Sequence, residues 1–393
     1  APMPYRAGML ARRTLIAILF VPSLVLLGCS GGDSSTDSTT TTEATTSTTA
    51  VVADLALAVE QPGEFEVGVA SAEVTGARGR NLPVQIWYPA EPDSTEGATP
   101  ATYPFPGLEV PSESGYADLP VADGEFPLVV YSHGNGGLRY VSSFLTEHLA
   151  SHGFIVVAPD HTGNTAIDTF AGTSEPRDQV ALDRPEDVTL TIDAALAGSP
   201  GFEEVSASID PESIGVIGHS FGGYTALAVA GGVGEVPPDD RVDAIVGLAA
   251  ATGLDDASLE AIDIPTLVEW ASDDQTVEVA TNAPRPDELV RGRPYVRADI
   301  TGAQHQSFTD ICSYQDQLAE MPELPQALVE AVNDYASEGC EDGQLDIDEA
   351  HRIINRVTTA FLIEQLRGDD SYVVLLDPET GSDPTLELLE RRE

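Results

Sequence analysis

The sequence contains no lysine. Its 18 basic residues are all arginine and stand against 65 acidic ones, giving a formal net charge of −47. A surface this acidic argues against nucleic acid as a partner and against electrostatic docking on anionic lipid; it suits solubility, in salty surroundings too. It says nothing about chemistry. Cysteine is scarce as well, at three positions: Cys29, Cys312 and Cys340. No segment recurs with a period of 20–50 residues, which excludes a solenoid or propeller. The apolar run TLIAILFVPSLVLLG is too short and too abruptly ended for a membrane span. With 42% hydrophobic residues over 393 positions, the chain can bury the core of one large α/β domain or two ordinary ones.

That apolar run follows Arg12 and Arg13 and stops at LLGC, with Leu26 three before Cys29 and the small Gly28 directly before it. The pattern resembles a bacterial lipobox. The resemblance implies a lipoprotein-type signal peptide over 1–28, cleavage before Cys29 and lipid on its sulfur. An ordinary secretory signal with a chance cysteine is the alternative. Met9 sits where an initiator suits this signal, which makes 1–8 an upstream extension. The stretch SGGDSSTDSTTTTEATTSTTA has no apolar periodicity and cannot offset its ordering entropy by burial. It is expected to be a flexible tether, 29–54, between the lipid anchor and a globular region, 55–393. These features place the protein outside the cytoplasm, as a membrane lipoprotein or a secreted protein. In that compartment Cys312 and Cys340 can pair, with two buried free thiols as the alternative.

From about residue 65 the pattern becomes regular. FEVGVASAEV and LPVQIWYPA predict two antiparallel strands joined at TGARGR, and 90–126 a Pro/Gly-rich loop. LVVY within FPLVVYSHG has the length of a strand covered on both faces. Apolar residues at 141, 144, 145 and 149 predict a helix ending at Gly153, followed by the buried strand FIVVAPD. Residues 185–199 read as a helix with Pro185 near its start. SIGVIGH is a strand and 220–231 a small-residue helix. DAIVGLAA, IPTLVEWAS and PYVRADITG are strands, and 349–366 is a final amphipathic helix. This alternation predicts an α/β fold: a mainly parallel, doubly wound sheet with helices on both faces, in one catalytic-size domain.

Ser220 lies in GHSFGG, directly after a strand and opening a helix, the setting of a nucleophile elbow. Side chains at 218 and 222 would collide with neighbouring backbone, so both are glycine. The turn projects Oγ above the carboxyl edge of the sheet. A serine hydroxyl needs a base beside it. His305, in TGAQHQSF after the last strand, satisfies the chain order Ser, acid, His; His351 is the fallback. Asp274, three residues past Ala271 and three before Val277, is the expected acid. Asp273 is the runner-up, and Asp255 and Asp256 a third option. The oxyanion hole is expected from the backbone N–H of Phe221 and of Asn135 in HGNGG; losing one such donor costs about 3–4 kcal/mol.

The segments PLVVYSHGNGGLRYVSSFLTEHLASHGFIVVAPDHTGN, SIGVIGHSFGGYTAL and GAQHQSF together resemble the platelet-activating-factor acetylhydrolase and dienelactone-hydrolase-like branch of the α/β-hydrolases. The resemblance spans roughly 65–310 and the final helix, and implies an esterase acting through Ser220 and His305. In the acetylhydrolases the acid follows the preceding strand, where Ala249 stands here; an acid at 274 matches the dienelactone hydrolases instead. Those use a cysteine nucleophile, so a serine favours ordinary esters. The insertion 312–350 is expected to act as a lid or rim of the acyl pocket. Neither metal nor organic cofactor is expected. The reading is an extracytoplasmic serine ester hydrolase with a small-molecule or lipid ester substrate. The rivals are a catalytically inactive envelope binding module and a peptidase or amidase.

Overall fold

The strand Phe126–Ser132 (β5) shows how the sheet is built. Leu128 and Val130 enter one apolar cluster, and Val129 and Tyr131 enter the other. Ile155 and Val157 of the strand Ile155–Pro159 (β6) divide from Val156 and Ala158 in the same way. A strand apolar on both sides must be covered on both sides. In the computed structural model the described residues are 42–105, 108–319 and 326–393, with backbone alone at 42–48, 108 and 327. Thr45–Glu393 form one compact unit, which carries the whole sheet. The expected signal peptide and lipidated Cys29 lie outside the described residues.

The remaining strands are Glu66–Thr75 (β1), Asn81–Ala90 (β2), Pro100–Phe105 (β3), Leu108–Ala117 (β4), Ile209–His219 (β7), Ala244–Leu248 (β8), Thr266–Ala271 (β9), Tyr295–Ile300 (β10) and Leu386–Arg392 (β11). They form an 11-stranded sheet in the order β11-β10-β9-β8-β7-β5-β6-β2-β1-β4-β3. The run from β6 through β5, β7, β8 and β9 to β10 is parallel throughout. Antiparallel pairs lie outside it, at β6–β2, β2–β1, β4–β3 and β10–β11. The helices Ser143–Ser151 and Ile347–Arg367 cover one face, and Arg177–Leu196 and Phe221–Gly231 cover the other. The expected α/β-hydrolase architecture is what the chain adopts.

Four expectations need correction. Of the tether expected over 29–54, residues 29–41 lie outside the described residues, and from Thr42 the chain is helical, Thr42–Glu60. The anchoring contacts of this helix fall in its last turns, beyond the Thr-rich stretch: Ala56 and Val59 are buried in the core, His148 Nε2 bonds the Val59 carbonyl, and Glu60 pairs with Arg352 at 2.6 Å. The loop expected over 90–126 contains the hairpin β3–β4. Pro100, Pro104 and Pro111 hide it, because proline removes a ladder donor; at the sheet edge that loss is tolerated. Ala101, Tyr103 and Phe105 still alternate inward. The helix expected from 185 starts at Arg177, so Pro185 is internal. The Ala181 carbonyl, which Pro185 cannot reach, accepts from the Tyr224 hydroxyl at 3.4 Å. Finally, the C-terminal strand β11 adds an antiparallel edge after the last long helix.

Candidate active site

Strand β7 feeds directly into the helix Phe221–Gly231, and Ser220 sits at the corner with φ 56° and ψ −113°. A left-handed φ on a non-glycine residue is strained and is held only by its surroundings. The Ser220 N–H donates to the Leu248 carbonyl at 2.8 Å, and the Ser220 carbonyl accepts from the Tyr224 N–H at 3.2 Å. The flanking glycines are steric necessities. A Cβ on Gly218 would lie 2.0 Å from the Gly222 oxygen, and one on Gly222 would lie 1.8 Å from the Ser132 oxygen.

The loop after β10 brings His305 to this corner. Its Nε2 is 2.9 Å from Ser220 Oγ, and its Nδ1 is 2.7 Å from Asp274 Oδ2. With the carboxylate accepting at Nδ1, the imidazole carries its proton there, and Nε2 is left to accept from the serine. Asp274 follows β9 in a tight turn. Its Oδ1 accepts the N–H groups of Thr276 (2.9 Å) and Val277 (2.6 Å), which aims Oδ2 inward. Asp273 points away to solvent, with Ser272 donating to it at 3.3 Å. Asp255 caps a short helix through Ser258, Asp256 pairs with Arg285, and His351 stacks on Phe144 and bonds the Thr309 carbonyl. None of these three meets Ser220. Ala249, the acid position of the resembling acetylhydrolases, is buried at the end of β8.

The N–H of Phe221 is the first of its helix, so no intrahelical carbonyl can take it. The Asn135 side-chain oxygen accepts from Asn164 at 2.9 Å. Gly134, Asn135, Gly136, Ser220 and His305 all face one cavity of about 340 Å³. Its far walls are apolar: Phe105 from the edge hairpin, Phe170, and Tyr314 and Val332 from the 312–350 region. Two helices of that region, Ile311–Ala319 and Gln326–Ala336, stand at the cavity, and a Cys312–Cys340 disulfide ties their outer ends. Glu338 connects them to the acid turn: its side chain accepts from Thr276 Oγ1 at 2.9 Å and its carbonyl accepts from the Gln306 N–H at 2.7 Å. Among the described residues no group of three or more His, Cys, Asp and Glu side chains is placed to hold a metal ion.

Two residues at the site have roles that the sequence reading did not assign. His219, expected within the elbow with its side chain turned from Ser220 Oγ, donates its Nε2–H to the His305 carbonyl at 2.9 Å. Burial, with His305 beside it, holds its pKa well below the usual imidazole range, so it is a neutral strut. Arg184 is completely buried behind the HGNGG loop, and nothing in a helix-spaced pattern marks an arginine as interior. A proline directly after it was the only local oddity.

A family model named chlorophyllase matches residues 109–275, a span that includes Ser220 and Asp274 and stops before His305. Chlorophyllase-1 of Citrus sinensis is 27% identical over 278 residues, covering 66% of this chain and 75% of that protein. Chlorophyllase-1 of Arabidopsis thaliana is 28% identical over 196 residues, covering 50% of this chain and 49% of that one. The platelet-activating factor acetylhydrolase of Canis lupus familiaris is 31% identical over 145 residues, covering 28% and 33%.

Proposed function

We propose that the chain is a carboxylic-ester hydrolase of the α/β-hydrolase kind and that Ser220, His305 and Asp274 carry the reaction. The observation that supports this most directly is the unbroken relay Ser220 Oγ–His305 Nε2 and His305 Nδ1–Asp274 Oδ2, at 2.9 and 2.7 Å, opening on the cavity. Ser220 Oγ attacks the ester carbonyl while its proton passes to Nε2. Asp274 holds the resulting imidazolium without taking the proton. The negative oxygen of the tetrahedral intermediate sits against the N–H groups of Asn135 and Phe221. Its collapse expels the alcohol, which leaves with the proton from Nε2. A water then repeats the sequence on the acyl-enzyme, giving its proton to Nε2, and the carboxylic acid departs as Ser220 is restored.

The apolar cavity walls favour an ester with at least one long hydrophobic arm, a small-molecule or lipid ester. The chlorophyllase and acetylhydrolase names of the relatives are consistent with such a substrate. The two helices at residues 311–336 serve as its lid. The protein works outside the cytoplasm, attached to a membrane through Cys29. Support comes from the signal-like run before that cysteine and from a Cys312–Cys340 disulfide, a bond that persists in oxidising compartments.

Hydrolysis of p-nitrophenyl esters of graded acyl length, with Ser220→Ala as the control, tests the reading. The wild-type protein should turn over the esters, cleave matched anilides far more slowly, and be labelled by a fluorophosphonate. The folded variant should lose at least about 10³-fold in kcat and take no label. Undiminished hydrolysis by Ser220→Ala would overturn the assignment.

A further inference from the structure

Behind the HGNGG loop lies a second serine–histidine–aspartate chain. Ser132 Oγ is 2.9 Å from His161 Nε2, and His161 Nδ1 is 3.0 Å from Asp187 Oδ2. All three residues are fully buried and none faces the cavity, so no substrate meets this serine. Its surroundings are those of a brace. Arg80 holds Asp187 through two 2.7 Å bonds, and the His161 N–H donates to His133 Nε2 at 3.1 Å. At the centre is Arg184.

We propose that Arg184 is a positioning residue for the oxyanion hole, fixing the loop that presents the Asn135 N–H and the helix start that presents the Phe221 N–H. The inference rests on the ester-hydrolase reading above. The guanidinium fork reaches both donors. Its Nη2 donates to the His133 carbonyl and, at 3.2 Å, to Ser132 Oγ. Its Nη1 donates to Asn164 Oδ1 at 2.6 Å, and Asn164 Nδ2 donates in turn to Asn135 Oδ1 at 2.9 Å. Its Nε donates to Thr225 Oγ1 at 3.1 Å, one turn into the helix that Phe221 opens, and the guanidinium lies 4.9 Å from the centre of the Phe221 ring. These acceptors are all neutral groups. Asp187 acts on the guanidinium through space without a direct bond, and a cation lacking a directly paired carboxylate is costly to bury. Burial lowers the Arg184 pKa to about 9, which still leaves it charged at neutral pH. A structural tie alone would not call for a charge. A planar five-donor fork that registers one loop against one helix start does.

Arg184→Lys keeps a basic side chain and discards the planar five-donor fork, so it tests the geometry. Folding is checked by circular dichroism and melting temperature. In the folded variant kcat for a p-nitrophenyl ester should fall about 10- to 100-fold, less than the about 10²- to 10³-fold lost when an oxyanion donor is removed outright. KM should stay within about twofold, and affinity for a boronic acid, which forms a tetrahedral adduct on the serine, should fall by the same factor as kcat. Inhibition by the product carboxylate should be unchanged. A purely structural arginine would lower the melting temperature and leave kcat per folded molecule intact. If Arg184→Lys does not fold, Asn164→Ala, which removes both the acceptor of Arg184 Nη1 and the donor to Asn135 Oδ1, should show the same split between kcat and KM. Wild-type kcat in folded Arg184→Lys, or in Asn164→Ala standing in for it, overturns the inference. Activity surviving in Ser220→Ala sinks the functional reading itself, and this inference with it.

Discussion

Glu269 is a carboxyl in the middle of β9 with no exposure at all. Its Oε1 accepts from Thr358 Oγ1 at 2.5 Å, and its Oε2 has no partner among the described residues. Burial pushes its pKa up to about 8 from an ordinary value of 4.5. The proton is thus held by the folded chain over a range where the unfolded chain has released it. Below pH 4.5 both states are protonated and the group is neutral in its effect on the pH slope. Between 4.5 and about 8 stability falls as pH rises, and above about 8 the full cost of ionising a buried carboxyl has been taken. Glu269→Gln removes the titration. Its melting temperature relative to wild type should therefore move upward between pH 5 and pH 8.5, whatever the offset at pH 5. A difference that is the same at both pH values would contradict the assignment, and because other buried acids are common to both proteins they drop out of the comparison. Glu269 also shows where residue-level reading stops. Ser220, His305 and Asp274 were legible because each follows an apolar strand and obeys a turn rule. The spacing to Ala271 and Val277 favoured Asp274 over Asp273 without deciding between them, and the structure turns Asp274 to His305 at 2.7 Å. Glu269, Arg184 and His219 matter only through what packs on them, and no local pattern encodes that.

At the scale of elements, the parallel centre of the sheet was readable because strands buried on both faces are continuous apolar runs. The margins were not. The hairpin β3–β4 is studded with proline, β11 is half-exposed, and the helix Thr42–Glu60 starts in threonine-rich sequence. Each is stabilised by the neighbour it docks on more than by its own composition. The helices Ile311–Ala319 and Gln326–Ala336, proposed as a lid, belong to this margin, and the disulfide between Cys312 and Cys340 closes a loop with a sequence separation of 28. By chain entropy such a loop is worth at most about 3–4 kcal/mol. The effect should be local, because the bridge ties the lid helices to each other at the cavity. Replacing Cys312 and Cys340 together by serine should raise KM for a long-chain ester several-fold while leaving kcat and KM for the acetate ester within about twofold. Tyr314 and Val332 line the cavity that a long acyl arm is proposed to fill and an acetyl group is too small to fill. Unchanged constants for both esters, in a protein shown by mass to lack the bridge, would mean that the disulfide does not shape the pocket.

For the whole molecule the governing fact is an acid excess that its few cations cannot balance. Most of the arginines among the described residues are taken up in ion pairs within the chain. Arg352 alone reaches Glu60, Glu349 and Asp383, Arg356 shares Glu60 and Asp383, and Arg391 holds Glu364. What remains on the surface is largely unpaired carboxylate, repelling across a chain of net charge −47. Repulsion between exposed charges acts over the Debye length, about 30 Å at 0.01 M salt and about 3 Å at 1 M. Salt should therefore stabilise this protein, against the usual loss of surface ion pairs, because like-charge pairs greatly outnumber opposite ones. At pH 7 the melting temperature should climb by roughly 3 °C or more from low salt to about 0.5 M sodium chloride, equivalent to about 1 kcal/mol or more. The control is the same titration near pH 4.5, close to the sequence pI of about 4.1, where most of the excess charge is gone. There the climb should shrink sharply. An equal climb at both pH values would mark a general salt effect on burial, and a flat response at pH 7 would mean that the carboxylates lie too far apart, or are too well solvated, to strain the fold.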